Sequence, residues 1–166
     1  MKNLVFIGMP GCGKSTIGKL AAMKLNIPFV DVDEYIENKY GTKVSEIFEK
    51  KGEQFFRDLE SACIKELSKK TDLVISTGGG SVLREENMIN LKTTGVIIFI
   101  DRSPEDIVSD VDVASRPLLA QGSERIFTLY NERIDLYKKY CEHHITNNSS
   151  MDTVVNNILL RYLVHK

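Results

Sequence analysis

The chain has 166 residues with 22 Lys+Arg against 23 Asp+Glu, a net charge of −1 with no basic excess, so an electrostatic grip on nucleic acid is not the default reading. At about 150 residues per domain this is one domain, and area scaling buries roughly 70% of the unfolded chain's surface, enough for a core without disulfide or metal staples. A hydrophobic content of 42% beside 27% charged residues argues against disorder.

The first predicted element is a strand, Leu4-Val5-Phe6-Ile7, continuously apolar and therefore covered on both faces. It runs into Gly8-Met9-Pro10-Gly11-Cys12-Gly13-Lys14-Ser15-Thr16, then into a helix whose Ile17, Leu20, Ala21 and Leu25 share one face. This is the P-loop pattern, G-x-x-x-x-G-K-[ST], in its strand–loop–helix setting. The glycines let backbone N–H groups curl around phosphate oxygens, and the helix N-terminus adds partial positive charge. Lys14 can then reach the β- and γ-phosphates, and the Ser15 hydroxyl can ligate Mg²⁺.

A weaker strand, Phe29-Val30-Asp31, follows. Alternate strand residues share a face, so Asp31 and Asp33 are expected to point the same way, one toward Mg²⁺ and the other toward a substrate hydroxyl. Solvated acids capping a helix at Glu34 are the alternative. Phe55, Phe56, Leu59, Cys63 and Leu67 then form a helical stripe that carries Arg57, one turn before Glu60. Arg57 serves either an anionic ligand or a surface pair with Asp58 or Glu60.

The strand Leu73-Val74-Ile75-Ser76 opens into Thr77-Gly78-Gly79-Gly80. Three glycines in a row cost conformational entropy, which makes sense where a ligand touches backbone; a tight turn is the alternative. Val96 to Ile100 form the next strand, and Asp101 at its end could support a metal or join the helix cap at Ser103-Pro104-Glu105-Asp106. Arg116 lies in Arg116-Pro117-Leu118-Leu119, after an irregular stretch. A helix then places Ile126, Leu129, Tyr130, Arg133 and Tyr137 on one face. An arginine on such a stripe needs an anion, supplied by a ligand or by an internal ion pair. His144-Ile145-Thr146 is a short last strand, with His143 and His144 as strand-edge residues, and a final helix buries Val155, Ile158, Leu159 and Tyr162. Strands alternating with helices give an α/β fold with a parallel sheet, whose ligands bind beyond the carboxyl ends of the strands.

Taken together, these residues resemble the shikimate kinase family of P-loop small-molecule kinases, in order from Gly8 to about Thr146. The resemblance rests on the P-loop, Asp31-x-Asp33, Ile47-Phe48 before Gly52-Glu53, Phe56-Arg57-x-x-Glu60, the three glycines, Arg116-Pro117-Leu118-Leu119, and Arg133 before Leu136-Tyr137. It implies a three-layer P-loop NTPase fold with a five-stranded parallel sheet in order 2-3-1-4-5, a substrate-binding subdomain over about 32–60 and a lid over about 109–123. It further implies ATP-dependent phosphorylation of shikimate with Mg²⁺, in aromatic amino acid biosynthesis. Lys14, Ser15 and the loop residues Gly11, Cys12, Gly13 and Thr16 would hold ATP phosphates, and Ser15 and Asp31 would serve Mg²⁺, Asp31 through water. Asp33 would bind ring hydroxyls and take or orient the acceptor's proton. Arg57 and Arg133 would clamp the carboxylate, Gly79 and Gly80 would contact the ring, and Arg116 would reach the γ-phosphate from the lid.

The chain departs from the family where adenine-side arginines are usual: Ser109 stands seven residues before Arg116, and Asn147-Asn148-Ser149-Ser150 follows the last strand. That implies a low nucleotide affinity or a relaxed base selectivity. A kinase for gluconate or a nucleoside monophosphate, or a nucleotide-binding sensor without turnover, are the other readings; a GTP switch lacks its Asn-Lys-x-Asp signature. Cys12, Cys63 and Cys141 show no disulfide or zinc spacing. They fit a reducing, cytoplasmic setting. The longest apolar run is too short for a membrane span, and the N-terminal one too short for a signal peptide. A monomer acting on a small molecule is expected.

Overall fold

Five short runs of β-branched and aromatic residues become one parallel sheet in the computed structural model, which describes residues 1–110 and 122–165. The strands are Asn3–Ile7 (β1), Phe29–Asp31 (β2), Val74–Ser76 (β3), Gly95–Asp101 (β4) and His143–Thr146 (β5). Their order is β2-β3-β1-β4-β5, as expected. The register sets Leu4 beside Val74 and Val96, and Ile98 beside His143. Every residue of β1 is buried, so helices cover both faces of the sheet, which is what a run without polar alternation requires.

The helices among the described residues are Lys14–Leu25 (α1), Val32–Tyr40 (α2), Val44–Lys51 (α3), Glu53–Leu67 (α4), Glu85–Thr94 (α5), Pro104–Asp110 (α6), Ser123–Tyr140 (α7) and Met151–Tyr162 (α8). α1 packs on α8, and α4 on α5. One core runs through the sheet, with Phe6, Phe99, Tyr137 and Tyr162 among its largest fully buried side chains. The cap of α6 forms as its sequence suggests, Ser103 Oγ accepting from the Asp106 amide at 3.2 Å.

Three expectations change. Phe55 is 43% exposed, because the inner face of α4 runs through Phe56, Arg57, Glu60, Cys63, Ile64 and Leu67; a stripe drawn through apolar residues alone passes over its two charged members. Asp33 is not on a strand: β2 stops at Asp31, and Asp33 sits in the first turn of α2. Asp101 neither caps α6 nor reaches toward the P-loop Ser15; its carboxylate accepts from Tyr130 at 3.0 Å and meets His144 Nε2 at 2.8 Å. Most of the lid over 109–123, Arg116 included, lies outside the described residues.

The chain leaves β1 toward the β2 edge and later crosses to place β4 on its other side. That reversal opens a crevice at the carboxyl end of β1.

Candidate active site

The crevice is a cavity of about 760 Å³. β1 delivers the P-loop to its floor. Gly13 has φ +103°, a left-handed conformation that costs glycine little, and no side chain caps α1 behind it. The first turn of α1 therefore turns its amides toward an anion, and a Cβ at Gly13 would sit 2.8 Å from Asn147 Nδ2. Lys14 is 7% exposed, and its ammonium is held by the loop's own carbonyls, Gly8 O at 2.7 Å and Met9 O at 2.9 Å. It is a preformed cation over the phosphate cradle. Cys12 is wholly buried with its sulfur 3.7 Å from Lys14 Nζ, and its side chain does not line the cavity. Gly11, Gly13, Ser15 and Thr16 do line it.

Ser15 Oγ donates to Asp31 Oδ2 at 2.7 Å and lies 3.4 Å from Ser76 Oγ. Asp31 also caps α2, Oδ1 accepting from the Glu34 amide at 3.2 Å. Asp31 thus caps the helix, as one reading has it, and also accepts from the P-loop hydroxyl. An aligned set of hydroxyl and carboxylate oxygens is the donor chemistry that Mg²⁺ selects.

Beyond Asp31 the cavity changes character. Asp33 Oδ1 is buried without a hydrogen-bond partner. Burial, then the charges of Glu60 and Asp31, push its carboxyl up to about 7, with Lys14 and Arg57 opposing. Arg57 is 4% exposed, donating to Glu60 at 2.9 Å and to Glu53 at 3.3 Å, while its Nε–H is unpaired. Its partner is Glu60, but the pair is buried rather than superficial; Asp58 pairs with Arg84 instead. Arg133 is 3% exposed, and its Nη1 is also unpaired. Among the described residues no carboxylate pairs with Arg133. Two buried guanidiniums with N–H groups to spare line one cavity, which is the arrangement of an anion clamp.

The three glycines are each required by a close neighbour. A Cβ at Gly79 would meet Pro10 Cδ at 2.5 Å, one at Gly78 would meet Glu60 Oε2 at 2.9 Å, and one at Gly80 would overlap the Arg57 guanidinium. Packing of P-loop and arginine against this backbone explains the glycines without a ligand. Tyr137, wholly buried and stacked on Phe99, donates its hydroxyl to Gly79 O at 2.6 Å.

The family model for shikimate kinase matches residues 10–162. A shikimate kinase of Clostridium botulinum (strain Eklund 17B / Type B) is 52% identical over 159 residues, covering 95% of this chain and 96% of that protein. The chain belongs to the shikimate kinase family. Solved structures of the shikimate kinase family agree. The enzyme from Acinetobacter baumannii in complex with shikimate superposes with a TM-score of 0.94 at 30% identity, covering 100% of this chain and 95% of that one. The enzyme from Aquifex aeolicus gives 0.83 at 40% identity, over 95% and 94%.

Within this shikimate kinase fold, several contacts at the site escaped the sequence reading. Glu53 and Tyr137 enter it only as motif or core residues, and Ser81 not at all, yet Glu53 holds Arg57, Ser81 holds Glu60 and Tyr137 holds Gly79. Arg102 lines the cavity too. Glu53 lies four residues before Arg57, a helical spacing that could have been used. Arg102 directly follows the fourth strand, where the strand-end rule applies. Ser81 carries no such signal.

Proposed function

We propose that this chain transfers the terminal phosphoryl group of ATP to a ring hydroxyl of shikimate, assisted by Mg²⁺. The observation that carries the proposal is one cavity with a P-loop cation at one end and two unsaturated buried arginines at the other, with Asp33 between. ATP supplies the phosphoryl group, and Mg²⁺ would neutralise charge developing on it.

The chain's own residues then have distinct tasks. The P-loop amides and Lys14 would cradle phosphate oxygens; Gly11, Cys12, Gly13, Ser15 and Thr16 supply that backbone. Ser15 and Asp31 would hold Mg²⁺, Asp31 through water. Arg57 and Arg133 would fix the acceptor's carboxylate and so place its ring, with Gly79 and Gly80 beneath. Asp33, with a carboxyl near neutrality, matches the proton-affinity range of a general base at physiological pH. Residues 32–60 would act as the acceptor-binding subdomain. Arg116 would complete the phosphate contacts from the lid. A monomer in the cytoplasm suits a small-molecule kinase, and among the described residues no helix is long and apolar enough to cross a membrane.

A coupled ADP-release assay with ATP and Mg²⁺ tests this, run with shikimate, with gluconate and with nucleoside monophosphates. Turnover dependent on shikimate is expected. Turnover only with another acceptor would reassign the two arginines to a different anion.

A further inference from the structure

Arg102 is the first residue beyond β4 and points back across the P-loop. Its Nη1 donates to Gly11 O at 3.2 Å, and its Nη2 pairs with Asp110 at the end of α6. The side chain is 22% exposed and lines the cavity, whereas its partner Asp110 is 58% exposed. Among the described residues the cavity's other cations are accounted for. Lys14 is inside the loop, Arg57 is paired with Glu60, Arg133 lies on α7 one turn before the Tyr137 that bonds Gly79 O, and Lys43 lies at the start of α3. Arg102 alone of them follows β4 directly and bonds the P-loop backbone at Gly11.

Both of its present partners are poor ones for a guanidinium. A neutral carbonyl accepts one weak bond, and an exposed carboxylate is screened by water. A nucleoside di- or triphosphate in the P-loop would bring several anionic oxygens beside Gly11, each offering a charge-assisted bond and together suiting the planar fork of arginine. The position after the adenine-side site, Ser109, is where this chain carries Asp110. The exposed acid thus parks the arginine at the mouth of the cradle.

We propose that Arg102 is a phosphate-contacting residue of this chain, exchanging Asp110 for the polyphosphate of the nucleotide when it binds. This rests on the reading of the P-loop as the nucleotide site. It assigns part of the nucleotide grip to a side chain just past β4 that reads phosphate and not base.

The test is calorimetric titration of ADP with Mg²⁺ into the full chain, comparing wild type, Arg102→Ala and Asp110→Asn at low and high NaCl. Arg102→Ala should weaken ADP about tenfold and make the remaining affinity less salt-dependent, since a screened charge contact has gone. Asp110→Asn should tighten ADP about two- to threefold, because the competing carboxylate is lost. A purely structural pair would give losses in both variants, and that result overturns the proposal. So does an Arg102→Ala affinity within twofold of wild type, or a loss with unchanged salt dependence, which would mean a base contact. If Arg102→Ala does not fold, the direction of the Asp110→Asn change still decides. Wild type failing to bind ADP would overturn the P-loop reading itself, and this proposal with it.

Discussion

Glu60 holds the guanidinium of Arg57 at 2.9 Å, one helical turn away, in a pair whose side chains are 0% and 5% exposed. The second Glu60 oxygen accepts from Ser81 Oγ at 3.0 Å, just past the three glycines. One carboxylate therefore ties the arginine of α4 to the backbone that follows β3. Removing it strands a buried cation with only the half-exposed Glu53. Glu60→Ala is expected to cost about 3 kcal/mol in urea unfolding, the lower range for breaking a buried pair. Glu60→Gln, which can still accept from Arg57, should recover more than half of that; an equal loss in both variants would show that the charge itself is needed.

Arg133 is buried with an unpaired Nη1 and no carboxylate partner among the described residues. Arg133→Ala should raise KM for shikimate roughly 10- to 150-fold, the loss of one charge-assisted contact of ~1.5–3 kcal/mol, and leave KM for ATP within about threefold. Steady-state kinetics with each substrate varied separately measures this. A change confined to the ATP term would move Arg133 out of the acceptor end.

Asp33 couples activity to pH and opposes stability. Its carboxyl is raised to about 7 by burial and by the charges of Glu60 and Asp31. If the carboxylate takes the acceptor's proton, kcat/KM for shikimate should fall about tenfold per pH unit below 7. The same shift means that the folded state holds a proton that the unfolded chain releases near pH 4. Stability from this group is present below about pH 4 and lost as pH rises through 7. Asp33→Asn should therefore lose turnover while melting higher than wild type at pH 8 and equally at pH 4. A variant that keeps a full-rate profile would remove Asp33 from proton transfer.

Lys14 is the cation of the cradle, held by two carbonyls of its own loop. Lys14→Ala should abolish phosphoryl transfer, while thermal unfolding and far-UV circular dichroism stay close to wild type, because Lys14 lines the cavity and water entering the space its side chain leaves can bond the carbonyls of Gly8 and Met9. Substantial turnover in the variant would contradict the assignment of the loop.

By itself the sequence determined what neighbouring residues decide. The P-loop was legible because eight consecutive residues, Gly8 to Ser15, running into one helix start make the cradle. The strands were legible because Leu4–Ile7 and Val96–Ile100 have no polar face to expose. Arg133 read as inward-facing because it shares a helical face with Ile126, Leu129 and Tyr137, all buried. Tertiary structure alone decided what these elements meet. Pro10 against Gly79 and Tyr137 on Gly79 O join segments roughly sixty or more residues apart in the chain, and no local pattern encodes such pairs. It also placed Asp33 on a helix, turned Asp101 toward Tyr130 and His144, and buried Arg57 with Glu60. Hydrophobic periodicity ranks charged residues as surface. A carboxylate and a guanidinium that pair while nearly buried contradict that ranking, and only the packed neighbours around them reveal the exception.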